Sequence, residues 1–251
     1  MMNIDPMSTI PTSLQLWSLR DLVKTDFAGT VAQVAALGYQ GVETAGFGNT
    51  TAADGAAAVK AAGLKVSGMH VGIQALRQDF DRVVTEALTC ETKHVICPSW
   101  PKQQFISGAA CTAIGEELGA IGARLRAFGL RFHFHNHAPE LAVVEGRRVF
   151  DWMLDAAAPR DLGCEADVYW VHQGGKDPAA FIREQGRRIS LVHLKDEKEI
   201  GGGPVDFPAV FAALDSVGTV EWQVVEVEAY TGTPLDGVKQ SLEQLKSWGR
   251  A

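Results

Sequence analysis

"RFHFHNHAPEL", Arg131 to Leu141, sets His133, His135 and His137 at alternate positions, with Asn136 between the last two and Glu140 just after. A period of two places side chains on one face of a β-strand. Directly before it runs "IGEELGAIGARLRAFG" (114–129), an alanine- and leucine-rich stretch of helical period that stops at Gly129. Glycine just past the last helical residue is a common helix stop. Helix, glycine, strand is therefore the local unit, and the question is how often it recurs.

It recurs along the whole chain. Strand-like runs read "SLQLWSL" (13–19), "GVET" (41–44), "KVSGMH" (65–70), "HVICPSW" (94–100), "RFHFHNH" (131–137), "LGCEAD" (162–167), "ISLVHLKD" (189–196) and "VEWQVVEVE" (220–228). Helical stretches lie between them, and Gly38, Gly63, Gly186 and Gly218 close several in the manner of Gly129. Strict alternation of strand and helix implies parallel strands with crossover helices. Eight such units fit a closed (β/α)₈ TIM barrel of the α/β class, expected as a single domain over residues 1–251. A doubly wound open sheet is the runner-up. It usually carries a glycine-rich phosphate turn after its first strand, and here that turn reads "WSLRDLV".

The chain has 251 residues, 46% hydrophobic, with a formal net charge of -7. An acidic balance argues against a nucleic-acid surface, which needs clustered Lys and Arg. No apolar run approaches the roughly 18 residues of a membrane helix. The start "MMNIDPMSTIPTS" lacks a basic region followed by an apolar core, so no signal peptide is expected and a cytoplasmic location is favoured. Cys90, Cys97, Cys111 and Cys164 are scattered and read as buried free thiols.

In a barrel of this kind, function gathers at the carboxyl ends of the strands. Ionisable groups collect at those ends: Glu43, His70, the histidine ladder, Glu165 and Asp167, His193 with Lys195 and Asp196, then Glu226 and Glu228. Buried charges are costly unless paired or bound to a metal, so the accumulation is informative. Asp167, His193 and Glu226 come from consecutive strands at one depth, and neighbouring strands lie about 4.8 Å apart. Carboxylate, imidazole and carboxylate suit a divalent ion such as Mn²⁺, Mg²⁺, Co²⁺ or Zn²⁺. A fourth ligand is expected from strand five, where His135 and Glu140 compete. His133 lies deeper and reads as packed. Glu165 reads equally well as an internal salt bridge or a site residue, and Lys195 as a solvated lysine or a substrate contact. "GGGP" (201–204) reads as a flexible loop or lid.

These residues resemble the xylose isomerase-like TIM barrels, the sugar phosphate isomerase/epimerase and endonuclease-IV-like superfamily. The matching pieces are "LQLWSLRD", "ALGYQGVE", "FHNHAPEL", "CEADVYWVHQGGKDP", "RISLVHLKDEK", "GGGPVDFPAVF" and "WQVVEVE". The resemblance implies one divalent metal, often Mn²⁺, held by Glu, Asp, His and Glu from strands five to eight. The last three carry over to Asp167, His193 and Glu226. The strand-five Glu falls on His135, an imidazole, so Glu140 is expected to fold back and supply the third carboxylate.

The expected activity is a metal-dependent isomerase or epimerase acting on a small sugar or keto-sugar through proton abstraction. Glu140 and Glu226 are the candidate acid/base pair, with His137 and His70 as proton carriers. Trp17, Glu43, Trp100, His135, Trp170 and Lys195 are the candidate substrate contacts. The same scaffold would serve a lyase, of the inosose dehydratase or 3-keto-glycoside eliminase type. An abasic-site endonuclease and a silent sugar-binding subunit are weaker readings. Partners are then a small-molecule sugar and neither nucleic acid nor membrane; self-association into a homo-oligomer stays open.

Overall fold

The computed structural model describes residues 10–251; the reading of residues 1–9 as free of a signal peptide lies outside them. Eight parallel strands close into a barrel: β1 (Thr12–Gln15), β2 (Gly41–Thr44), β3 (Lys65–His70), β4 (His94–Cys97), β5 (Arg131–His135), β6 (Gly163–Asp167), β7 (Ile189–Leu194) and β8 (Trp222–Val225). Each pairs with its neighbours in sequence, and β8 returns to β1 through Ser13 opposite Val224. The expected α/β barrel is the observed one.

Eight main helices follow the strands: α1 (Phe27–Leu37), α2 (Ala52–Ala61), α3 (Phe80–Thr89), α4 (Gly108–Arg126), α5 (Val149–Asp155), α6 (Pro178–Gln185), α7 (Phe207–Val217) and α8 (Pro234–Ser247). Their starts are set chemically. Thr51, Ser107, Asp177, Asp206 and Thr233 each accept a first-turn backbone N–H, which satisfies donors the helix itself cannot. Gly38 and Gly218 end α1 and α7 in the left-handed conformation, at φ 104° and 63°. "GAIGAR" in α4 is a packing feature. A Cβ on Gly122 would lie 1.6 Å from the Asp161 carbonyl oxygen, and one on Gly115 2.1 Å from that of Met153. Three short helices (Arg20–Thr25, Ile73–Gln78, Val168–Gln173) and a small antiparallel hairpin (Val143–Val144 with Arg147–Arg148) add to the expected plan.

Strand parity divides apolar from polar. Leu14, Val42, Val95, Phe132, Phe134, Cys164, Ala166, Val192 and Leu194 join the helices' Phe27, Phe150 and Phe181 in one buried cluster. Each large side chain so buried contributes roughly 1.5–3 kcal/mol. The alternate residues, Ser13, Gln15, Glu43, Ser67, His133, His135, Glu165, Asp167 and His193, are buried and polar. They fill the barrel axis. At its amino end His94 and His133 meet at 2.9 Å, His94 reaches Glu221 at 3.3 Å, and Arg131 binds Glu221 and Ser190. His133 thus lies in a packed network at the barrel floor. All four cysteines are free and buried. Among the described residues no helix is long and apolar enough to cross a membrane.

Candidate metal centre and active-site cleft

Register brings the carboxyl-end groups together. His135 stands opposite Glu165, and Asp167 opposite His193. Glu226 follows β8 directly and its N–H donates to the Leu194 carbonyl. One nitrogen or oxygen from each of His135, Asp167, His193 and Glu226 falls within 4.8 Å of all the others, and all four residues are buried. His135 Nε2 is 3.5 Å from Asp167 Oδ2, which is 3.9 Å from His193 Nδ1; His193 Nδ1 is 3.3 Å from Glu226 Oε2. Donors about 2.1 Å from a shared cation stand roughly 3.0–3.4 Å apart when adjacent, so modest closure would complete a shell.

The polar bookkeeping points the same way. Asp167 spends Oδ1 on the Trp170 N–H at 2.9 Å, capping the helix that follows. Its Oδ2 and both ring nitrogens of His135 are buried with no hydrogen-bond partner. Unpartnered buried polar atoms are rare and costly, and a divalent cation would satisfy these. Burial, together with the His193 and His70 charges, pushes the His135 pKa well down, so its ring is neutral, the state a metal ligand needs. Burial raises the Asp167 pKa, opposed by Lys195 and His193. Burial alone would also raise that of Glu226, but the His193 hydrogen bond and charge and Lys195 hold it far below the usual range.

A second group lies alongside, within the same barrel mouth. Glu43, His70, Glu165 and His193 also bring four donor atoms within 4.8 Å of one another. Burial opposes a charge on His70, but Glu43 and Glu165 override it and raise its pKa to about 9. Glu165 is pushed to about 7 by burial and by the Glu43 charge.

Residues 31–248 match the family model described as xylose isomerase-like TIM barrel. The chain belongs to that family. A comparison by sequence with curated proteins finds no match. Among solved structures, this xylose isomerase-like barrel is similar to a sugar phosphate isomerase/epimerase from Parabacteroides distasonis ATCC 8503 (TM-score 0.85, 23% identity, 94% of this chain and 97% of that one). It is similar to a 3-keto-D-glucoside 4-epimerase from E. coli (TM-score 0.72, 15% identity, 95% and 98%). It is also similar to a probable 3-DHS dehydratase from Bacillus anthracis (TM-score 0.75, 12% identity, 94% and 98%). At these identities the likeness is one of fold.

A cleft of about 480 Å³ opens above the barrel's metal-type group. Trp17, His70, His135, His137, Glu226 and Glu228 line it, with Pro98 and Ser99 on one side. Trp17 is half exposed, and its indole N–H donates to Glu228 at 3.1 Å. His137 packs against Trp170, and burial, helped by neighbouring His135, lowers its pKa to about 4. A larger cavity, about 620 Å³, sits at the amino end against Lys65, His94 and Trp222. Glu91 and Glu221 also line it, and neither belongs to the two four-donor groups.

Several expectations are corrected here. Glu140 is not brought to the metal-type group. It lies in a 3-10 turn (Ala138–Leu141), and its Oε2 accepts the His137 N–H at 2.9 Å; burial raises its pKa to about 7. Glu43 is fully buried and faces no open cleft. Trp100 is buried in the wall, donating to Gln104 at 2.8 Å under the Arg77 guanidinium. Lys195 is no solvated lysine: it is 2% exposed, bonds Glu226 at 3.1 Å and Glu228, and lies 5.0 Å from the Trp170 ring centre. Loop 197–205 winds around the buried Asp196 carboxylate, which accepts the N–H groups of Glu197, Gly201 and Gly203. The glycines are needed there, since a Cβ on Gly203 would lie 2.1 Å from Asp196 Oδ1.

Three residues have positioning roles that the sequence did not show. Asn136 clamps the Asp167 backbone, accepting its N–H at 3.0 Å and donating to its carbonyl at 3.3 Å. Asp196 builds the loop beside Lys195. Gln15 donates to Glu43 at 2.7 Å. Asn136 was visible as the polar residue between two histidines and Asp196 as one of the ionisable groups at the strand ends; what the sequence did not show is the role of each.

Proposed function

We propose that this chain is a divalent-metal-dependent enzyme that moves a proton beside the carbonyl of a small sugar or keto-sugar, as an isomerase or epimerase. The observation that carries the reading is the buried set His135, Asp167, His193 and Glu226, in which Asp167 Oδ2 and both His135 ring nitrogens have no hydrogen-bond partner and His135 and Glu226 line a cleft. These four residues would hold the ion, with Mn²⁺ the first choice and Mg²⁺, Co²⁺ or Zn²⁺ as alternatives. When bound, it would polarise a substrate carbonyl and acidify the neighbouring carbon.

The chain's own groups handle the proton. Glu226 is ionised at the cleft wall and is the candidate base. Neutral His137 is a second acceptor on the same cleft. His70, held as a cation by Glu43 and Glu165, is the candidate donor. Lys195 lies beside Glu226, where it would stabilise negative charge developing on a substrate oxygen. Trp17, on the cleft wall, offers an aromatic face to a sugar ring, and Trp170 backs His137 and Lys195. No lysine or arginine is among the described residues lining the cleft, and Lys195 is already paired with Glu226 and Glu228. That supports an uncharged sugar over a phosphorylated one.

A lyase reading keeps one specific support. Strand five presents His135 where the family resemblance leads to a glutamate, leaving one carboxylate base and a protonated His70. Such a pair suits removal of one proton and protonation of a departing hydroxyl or glycosyl oxygen. A screen of keto-sugars, keto-inositols and 3-keto-glycosides in D₂O with Mn²⁺ tests both readings. Deuterium incorporation with an isomeric product supports the isomerase, and an unsaturated product supports the lyase. No exchange on any of them contradicts both.

A further inference from the structure

The two donor groups share His193, and the shortest contacts, those centred on Glu43 Oε1 and His70 Nε2, lie in the lower one. In the lower group His193 Nε2 lies 2.8 Å from Glu43 Oε1, His70 Nε2 lies 2.9 Å from the same oxygen, and His70 Nε2 lies 2.8 Å from Glu165 Oε2, while His193 Nε2 to Glu165 Oε2 is longer at 3.3 Å. The three contacts below 3 Å are hydrogen-bond lengths, shorter than the spacing of donors around one cation. Gln15 adds a third N–H to Glu43 Oε1 at 2.7 Å. An ionised carboxylate only accepts. Each nitrogen that meets Oε1 therefore brings its own proton. With Nε2 of His193 so occupied, Nδ1 is the atom left facing Asp167 and Glu226.

The backbone makes room for this arrangement. Gly68 stands opposite Glu43 across a register shift between β2 and β3. A Cβ there would lie 2.8 Å from Glu43 Oε2 and 2.6 Å from Ile96 Cδ1. A side chain at this position would displace the carboxylate.

We propose that Glu43 is a positioning residue, whose carboxylate fixes the His193 proton on Nε2 and aims Nδ1 at Asp167 and Glu226, so that the lower group is a hydrogen-bonded support rather than a second metal site. The inference rests on the metal reading above and deepens it. It reassigns Glu43 from the substrate to the geometry of a ligand, the role an imidazole's other nitrogen plays at metal sites generally.

Zn²⁺ titration of the whole protein with ¹⁵N-histidine NMR, on wild type, E43A and E43Q, tests it. One Zn²⁺ per chain is expected, with the His193 Nδ1 signal moving on binding and the Nε2 proton retained. E43A should weaken Zn²⁺ binding about 10- to 100-fold. E43Q, which keeps a carbonyl acceptor, should restore most of that loss. Two ions per chain, loss of the Nε2 proton on binding, or unchanged affinity in E43A would each overturn the proposal. If E43A does not fold, the wild-type spectrum and E43Q decide. If wild type binds no Zn²⁺, the metal reading fails. The support is then judged apart from it, by whether the His193 Nε2 proton of metal-free wild type is protected from exchange, loses that protection in E43A and keeps most of it in E43Q.

Discussion

Replacing Lys195 by methionine separates the account from a purely structural one. Lys195 and Glu226 are 2% and 5% exposed, and their charged atoms are 3.1 Å apart. At an effective dielectric constant of about 20, that contact corresponds to roughly 5 kcal/mol of attraction. Breaking one side of a buried pair usually costs about 3–5 kcal/mol, because the other charge stays uncompensated. Metal-free Lys195→Met should therefore lose that much stability, a fall in Tm on the order of 10 °C for a chain of this size. A divalent cation bound by Glu226 would take over the compensation. The loss should then shrink with saturating Mn²⁺, and by linkage the variant should bind Mn²⁺ more tightly than wild type. Urea unfolding with and without Mn²⁺, alongside a Mn²⁺ titration, measures both. An equal loss in the two conditions, or weaker Mn²⁺ binding, would refute the placing of Glu226 at the metal.

Three further substitutions probe other parts of the molecule. Gly122→Ala sets a Cβ against the Asp161 carbonyl and should cost about 1–3 kcal/mol in a thermal melt, leaving metal affinity unchanged. Glu140→Gln should leave Mn²⁺ affinity within about twofold of wild type, because its carboxylate serves the turn; a tenfold loss in a titration would restore Glu140 as a ligand. Its folded pKa of about 7 lies above the ordinary 4.5, so wild-type stability should decline as pH rises through that window, and denaturation of Glu140→Gln across pH should lack the decline. Glu221 behaves oppositely. The His94 hydrogen bond and Arg131 hold its pKa near 2 against an ordinary 4.5, so its stabilisation is present above pH 4.5 and lost toward pH 2. The side chain is 43% exposed, so Glu221→Gln should cost under about 1 kcal/mol at pH 7 and flatten that acid arm in denaturant titrations.

The barrel was legible because each unit announces itself locally. β2 and β3 run over the expected residues 41–44 and 65–70, both bounded by turn signals. β1 and β8 were read too long. Apolar character continues past Gln15 into a 3-10 turn (Leu16–Leu19), and past Val225 into Val227, which is buried without being paired in the sheet. Asp167, His193 and Glu226 could be grouped from strand order alone, since adjacent strands fix their neighbourhood. Glu43 with His193 could not, because that contact crosses the barrel between residues 150 apart. Glu140 failed as a metal-ligand expectation for a reason the sequence did contain. His137 and Glu140 have the spacing of a capping box, with Pro139 between them, and the structure uses them as one. Lys195 stayed open between a solvated side chain and a substrate contact, because a charged residue at a strand end looks solvated until its two glutamates are in place.

The central claim is that His193 joins His135, Asp167 and Glu226 around one divalent ion. Metal analysis of protein purified without chelator and loaded with Mn²⁺, for wild type and His193→Ala, tests it most directly. One ion per wild-type chain is predicted, with none retained by a folded His193→Ala. No ion in wild type, or a full complement in the variant, would contradict the account.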